Sequence, residues 1–353
     1  MAVLHPALSR HLAIVPLLLG LAGCGSPASP PTSQTASPDE AQACAPDLPE
    51  VAFAVLTTES QANLKAAWEP LLSDMTAAID RPVVGFYATD YAGIIAAMSA
   101  NKVQVAWYGG NSYVEATERA EATAFAQTVQ LDGSEGYYAH LITHIDHPLV
   151  QELDLDAGNG DEYVVENAAD LTFAFNDPQS TSGFLVPTYH IFVQQEVNAE
   201  EIFEEVLFAG NHEAAALAVV AEQVDVATNN SQNIARLAET HPDALDQIQI
   251  IWTSPLIPNE PIAYRGDLPD CLKTQIEDFF LSYDNTEVLE NLKWQRFIPA
   301  EDSTWDVIRE LKLAKEILEV EQDEALTATE QQAKIAPLQE ELEALQTKAQ
   351  ATE

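Results

Sequence analysis

The chain has 353 residues, 47% of them hydrophobic, which suffices for a large core and excludes a disordered chain. Its 56 acidic residues against 15 lysines and arginines give a formal charge of −41, a field that disfavours nucleic acid and anionic membrane surfaces as partners. A solvated acidic surface accounts for that excess without any docking face.

The first predicted element is a leader. LAIVPLLLGLAGCGS follows Arg10, is apolar, and is too short to remain as a bilayer span. Residues 1–23 therefore read as a signal peptide. LAGC, residues 21–24, resembles a bacterial lipobox, which implies a lipidated Cys24 as the first residue of the mature chain. An ordinary signal peptide that happens to hold a cysteine is the alternative. Residues 24–48, rich in Pro, Ser, Thr and Ala, read as a flexible tether. Export implies an oxidising compartment, where Cys44 and Cys271 either form a disulfide or stay as two unpaired thiols.

Val51–Leu56 is a strand in this reading, and the next helix carries Leu64, Trp68, Leu71, Leu72 and Met75 at helical spacing. PVVGFYA, DYAGIIAAMSANKV and VQVAWYG continue as strand, helix and strand. A second set of alternations starts near residue 138, with YYAHLITHI and ADLTFAFNDP as strands and TSGFLVPTYHIFVQQE as one helix. FEEVLFAG and NHEAAALAVVAEQVDVATNN repeat the rhythm. QIQIIWTSPLIPNEPIAY then returns to the first unit, and the chain is helical from about residue 306. The alternation predicts two α/β lobes with mostly parallel sheets and a ligand cleft, joined by two crossings near residues 139 and 252. Lobe 1 spans 49–139 plus 253–353, with the C-terminal helices packed on it, and lobe 2 spans 140–252. The amphipathic end is short, so a monomer is favoured over a coiled-coil dimer.

The chemistry concentrates in FNDPQSTSGFLVP, residues 175–187. Asn176, Asp177 and Pro178 favour a turn, and Ser180 or Thr181 is placed to cap the following helix. A helix start presents unpaired N–H groups and a positive dipole end. Hydroxyls of Ser180, Thr181 and Ser182 can add donors for an anion, with Gly183 leaving room for its approach. Five or six charge-assisted bonds of about 1.5–3 kcal/mol each would outweigh the unfavourable overall field. Capping alone is the competing reading. His140, His144 and His147 lie close in sequence, but a strand edge and loop explain them better than a metal site. Trp68, Trp107, Trp252, Trp294 and Trp305 read as packing residues. No strained nucleophile elbow accompanies Ser180, Ser182 or His212, so an enzyme is not expected.

Eight segments decide between the readings: TTESQANLKAAWEPLL, DYAGIIAAM, NKVQVAWYGGNS, FAQTVQLDGSEGYY, NDPQSTSGFLVP, AGNHEAAALAV, QVDVATNN and IIWTSPLIPNEPIAYR. In this order, from Val51 to Arg265, they resemble the periplasmic phosphonate-binding proteins of ABC transporters. The resemblance implies a type II periplasmic binding protein fold and a phosphonate held by Ser180, Thr181 and Ser182. It implies Tyr91, Tyr137 and His212 as the rest of the shell, with the phenols donating and a bound dianion favouring charged His212. It also implies a permease and its ATPase as partners and no cofactor, and with the lipobox it gives a periplasmic protein lipid-anchored on the outer face of the inner membrane.

One departure bears on the ligand. The family's aminoalkyl phosphonate binders hold the ammonium with two carboxylates, and here Gln232 stands where one is expected, leaving Glu260 as the other. The lost charge favours a neutral or absent substituent, as in methylphosphonate, another alkyl phosphonate, or phosphite; sufficiency of Glu260 alone is the alternative. Phosphate as ligand, a sensory receptor in place of a transport component, and an enzyme that uses the cleft, such as a phosphonate-cleaving hydrolase, are the remaining rivals.

Overall fold

Two sheets organise the computed structural model, which describes residues 44–155 and 158–350. The signal peptide, Cys24 and the tether up to residue 43 lie outside the described residues. β1 (Val51–Val55), α1 (Gln61–Ile79), β2 (Val83–Tyr87), α2 (Tyr91–Ser99), β3 (Val105–Trp107), α3 (Gly110–Ala120) and β4 (Ala122–Gln130) begin the first lobe. The chain crosses through β5 (Gly136–Tyr137) into β6 (Ala139–His144), α4 (Gly160–Glu166) and β7 (Thr172–Phe175). An irregular helical segment over 181–195 leads to α5 (Ala199–Ile202), β8 (Glu205–Phe208), α6 (His212–Val220) and β9 (Val226–Asn230). α7 (Ser231–Thr240), α8 (Pro242–Leu245) and β10 (Ile248–Thr253) complete the second lobe. The return runs through β11 (Ile257–Pro258) to β12 (Pro261–Arg265), α9 (Asp270–Ser282), α10 (Thr286–Asn291), β13 (Trp294–Pro299), α11 (Asp306–Gln322) and α12 (Ala328–Gln350).

The first sheet has the order β13-β4-β12-β3-β1-β2 and the second β10-β6-β9-β7-β8. Their pairing corrects the expectation of mostly parallel sheets. β1 pairs parallel with β2 and β3, and β7 with β8 and β9, but every strand on the crossing side pairs antiparallel. The cause is topological: one crossing leaves the first lobe and the other returns, so β4 and β12, β5 and β11, and β6 and β10 run in opposite directions.

Each lobe buries its own aromatic cluster. Phe53 lies 5.3 Å from Trp68 and Phe280 lies 4.9 Å from Phe297 in the first. Phe173 stacks at 4.6 Å on Phe203 in the second. On the other face of the second sheet, α6 and α7 bring Ala215, Ala216, Val219 and Leu237 against Ile142 and Ala227. All five tryptophans are buried, as their packing role requires. Cys44 and Cys271 are bonded, with their Cα atoms 5.8 Å apart, so the chain before β1 is fastened to α9. Helix α11 does not stay on its own lobe: Gln322 Nε2 donates to Glu196 O of the second lobe at 3.1 Å. α12 lies on α11 with Ile335 as its buried contact.

The segment predicted as a single helix over 181–196 departs from α geometry. An α-helix needs the N–H of residue 187 to bond Gly183 O, and Pro187 has none. Gly183 O accepts instead from Asn176 N at 3.1 Å and Thr228 Oγ1 at 2.8 Å. The turn widens, so that Leu185 N reaches Ser180 O, five residues back, at 3.1 Å. Pro187 thus fixes the hydroxyl run in an unusually open first turn.

Candidate functional site

Ser180 is the cap that the sequence leaves open between two residues: its Oγ accepts from Gly183 N at 3.0 Å. Thr181 Oγ1 accepts from Asn111 N at 2.8 Å, across the cleft at the start of α3. Ser182 Oγ accepts from Asn230 Nδ2 at 3.0 Å. All three oxygens therefore have a protein N–H as donor, which leaves each hydroxyl proton to be given elsewhere. Tyr91, at the start of α2, places its phenol against Ser180, and Tyr137, on β5, places its own against Thr181 and Ser182. Burial pushes both phenols well above their ordinary range, so both keep their protons.

His212 opens α6 beside them, with Nε2 3.4 Å from Ser182 Oγ and 3.1 Å from Asn230 Nδ2. Asn176 meets its Nδ1 at 2.5 Å. Burial pushes the imidazole down to about 3, so the ring is neutral in this structure. Charged His212 is thus not its state without a bound dianion. Gly183 also has a different reason from the one expected. A Cβ there would fall 2.1 Å from Asn176 Nδ2 and 2.6 Å from Asn176 Cβ. The missing side chain makes room for the residue that meets His212, rather than for an incoming anion.

The two lobes meet around this turn. Gly109 lets the start of α3 approach, since a Cβ there would lie 3.2 Å from Thr181 Oγ1. Glu213 Oε2 accepts from Ser60 N and Asn63 Nδ2, each at 3.2 Å, and Arg236 Nε lies 3.1 Å from Glu59 Oε1. The cleft is closed.

Known proteins match this chain in sequence and in fold. The family model of the periplasmic substrate-binding protein of phosphonate ABC transporters matches residues 53–305. The phosphonates-binding periplasmic protein of Escherichia coli is 43% identical over 297 residues, covering 83% of this chain and 85% of that one. The chain belongs to this phosphonate-binding family. A binding component of an ABC phosphonate transporter from Pseudomonas aeruginosa superposes with a TM-score of 0.78 at 39% identity, covering 87% of this chain and 99% of the other. The phosphate-import protein PhnD of Mycolicibacterium smegmatis is 25% identical over 73% of this chain and 84% of its own length.

In this phosphonate-binding-family chain the departing residue, Gln232, is brought together with the remaining carboxylate, Glu260. Gln232 Nε2 donates to Glu260 Oε2 at 2.9 Å, and Thr128 Oγ1 lies 3.5 Å from the same oxygen. Burial raises the Glu260 carboxyl to about 7, and Glu260 lies close enough to Tyr91 and Tyr137 to act on both phenols. A carboxyl that titrates near 7 in the folded protein and in the ordinary range when unfolded makes folding take up a proton between those values. Its contribution is present in full at low pH and is lost as pH rises through about 7. His212 works oppositely, since its neutral burial costs stability as pH falls below the ordinary histidine range. Glu260→Gln should therefore remove the first effect alone. Urea unfolding should then show a variant more stable than the parent at pH 8, by on the order of 3 kcal/mol, with the difference vanishing toward pH 4.5. A constant difference across that range would show that Glu260 does not titrate as its burial demands.

Asn111, Asn176 and Asn230 are the participants that sequence reasoning passes over. The glycine pair Gly109 and Gly110 at the start of α3 signals a close backbone approach, which points to Asn111. Asn230 does two jobs, capping α7 through Asn233 N at 2.7 Å while donating to Ser182. The predicted histidine trio divides: His140 Nδ1 meets Thr253 Oγ1 at 3.0 Å and His147 Nε2 meets Asp225 Oδ1 at 3.0 Å.

Proposed function

We propose that this chain captures a small phosphonate anion between its lobes and presents it to an ABC permease and its ATPase. Ser180, Thr181, Ser182, Tyr91, Tyr137 and His212 hold the oxyanion in this reading, and Gln232 with Glu260 face its substituent. The observation that carries it is the state of the three hydroxyl oxygens, each already accepting an N–H and so left to donate. Neutral donors suit a chain of formal charge −41, because a strongly bound tetrahedral oxyacid then needs no buried cation. Closure brings donors from both lobes onto one ligand, with 49–139 plus 253–353 and 140–252 as the two closing bodies. No bond of the ligand is broken. Cys24 carries the lipid that anchors the protein in the periplasm, and the protein acts as a monomer.

The protein named for phosphate import among its relatives makes phosphate the ligand to test against. A thermal-shift panel of methylphosphonate, 2-aminoethylphosphonate, phosphite and phosphate tests the reading directly. The largest stabilisation is expected from methylphosphonate. A larger shift with phosphate or phosphite would reassign the ligand, and no shift with any of the four would remove the proposal. Substituting Gln232→Glu restores the second carboxylate and is expected to improve 2-aminoethylphosphonate affinity about tenfold, or 1.4 kcal/mol, by calorimetry. No gain, or a loss, would place residue 232 away from the substituent.

A further inference from the structure

Among the described residues Glu260 has no ion pair, although it is only 4% exposed. It stands on the return between β11 and β12, fastened to the first lobe where Thr128 N donates to its backbone O at 3.4 Å and Asn259 Nδ2 donates to Thr128 O at 2.9 Å. Gln232 reaches the carboxyl from the second lobe at 2.9 Å. Both that bond and the 3.5 Å contact of Thr128 Oγ1 fall on Oε2, and among the described residues no other side chain bonds Oε1. The titratable groups around it supply no countercharge. Tyr91 on α2 and Tyr137 on β5 keep their protons, and His212 on α6 is neutral. Asp177 takes Gln179 N at 2.7 Å, while Arg236 and Lys293, which line one cavity with Gln232, face Glu59 and Glu239. A pair made of one amide and one carboxyl carries a charge that a single proton cancels. A carboxylate shut from water without a cation is costly enough for that proton to matter.

We propose that Glu260 chooses the ligand's substituent by its own protonation: with a proton it meets a neutral alkyl chain, and without one an ammonium. The balance then shifts from alkylphosphonates toward aminoalkylphosphonates as pH rises through neutrality. The inference rests on the anion seat proposed above, and it deepens that reading to a proton-linked choice of substrate. The signs follow from what each substituent does to the carboxyl. An alkyl chain replaces the remaining water and raises the pKa further, so binding takes up a proton and affinity falls as pH rises through about 7. An ammonium against the carboxylate lowers the pKa, so binding releases a proton and affinity falls as pH drops through about 7.

Calorimetry of the whole chain in buffers of different ionisation heat counts these protons. With methylphosphonate at pH 8 the unsubstituted protein should take up roughly 0.9 proton more than Glu260→Gln, and at pH 6 roughly 0.1 more. With 2-aminoethylphosphonate it should release roughly 0.9 proton more than the variant at pH 6, and roughly 0.1 more at pH 8. Subtracting the variant removes whatever the phosphonate oxygens themselves take up or release. Between pH 6 and pH 8 the methylphosphonate affinity of the unsubstituted protein should fall about tenfold relative to that of the variant. Should the variant fail to fold, infrared difference spectra of the unsubstituted protein with isotope-labelled glutamate decide the matter at pH 8. A protonated carboxyl band should appear on binding methylphosphonate and not on binding 2-aminoethylphosphonate. Equal proton counts for protein and variant with both ligands, or no such band, overturn the choice while leaving the anion seat standing. Failure of both phosphonates to bind the unsubstituted protein overturns both.

Discussion

Replacing Ser180, Thr181 and Ser182 together by alanine is expected to weaken phosphonate binding by at least three orders of magnitude while the far-ultraviolet circular dichroism stays native. Three hydrogen bonds to a charged oxyacid, at about 1.5–3 kcal/mol each, sum to more than 4 kcal/mol, and every 1.4 kcal/mol is a factor of ten. The substitution also has a structural cost, because Ser180 caps its turn and Thr181 and Ser182 satisfy Asn111 and Asn230. A lost cap costs about 1 kcal/mol, so the melting temperature should fall without abolishing the fold. The single change Ser180→Ala separates the two effects by carrying most of the thermal loss. Affinity within tenfold of the parent in a folded triple variant would move the anion elsewhere.

A single methyl group should do nearly as much from a position that need not touch the ligand. Gly183→Ala puts a carbon where Asn176 now stands, 2.1 Å from its amide nitrogen and 2.6 Å from its Cβ. Asn176 cannot give way by a few tenths of an ångström there, so it has to leave, and His212 loses the group that meets Nδ1 at 2.5 Å. Overpacking of this kind costs about 1–3 kcal/mol of stability. The expected binding loss is on the order of a hundredfold, the size of one misplaced charge-assisted bond. A second readout distinguishes the mechanism from simple destabilisation. His212 is held neutral by burial down to about pH 3, and a displaced imidazole exposed to water should titrate closer to its ordinary range in nuclear magnetic resonance. An unchanged His212 titration with lost binding would show that Gly183 acts by another route.

Much of this architecture is legible from periodicity. The α1 stripe of Leu64, Trp68, Leu71, Leu72 and Met75 is buried as its spacing requires, because helical repeat and burial report the same physical fact. The alternation of strands and helices likewise gives two lobes. Strand direction is not in the periodicity, since an apolar run pairs either way and the crossings impose the antiparallel pairs. Gly110–Ala120 escapes the reading because its buried start is Gly110, Asn111 and Ser112, small or polar residues, and only Tyr113, Val114, Ala116 and Ala120 follow as apolar buried positions. Asn111 is buried by the approach of the other lobe, where its N donates to Thr181 Oγ1, which is a tertiary event. The hydroxyl run is found from sequence, and so is its capping role. The widened turn follows from Pro187 only once the partners of Gly183 O are known, and the reason for Gly183 needs the position of Asn176. Gln232 and Glu260 stand 28 positions apart and meet only through the fold.

The most direct measurement is a crystal structure of this chain grown with methylphosphonate. The phosphonate oxygens should lie within hydrogen-bonding distance of Ser180, Thr181 and Ser182, with the Tyr91 and Tyr137 hydroxyls and His212 Nε2 completing the shell. Ligand density at any other place in a closed cleft would contradict the account.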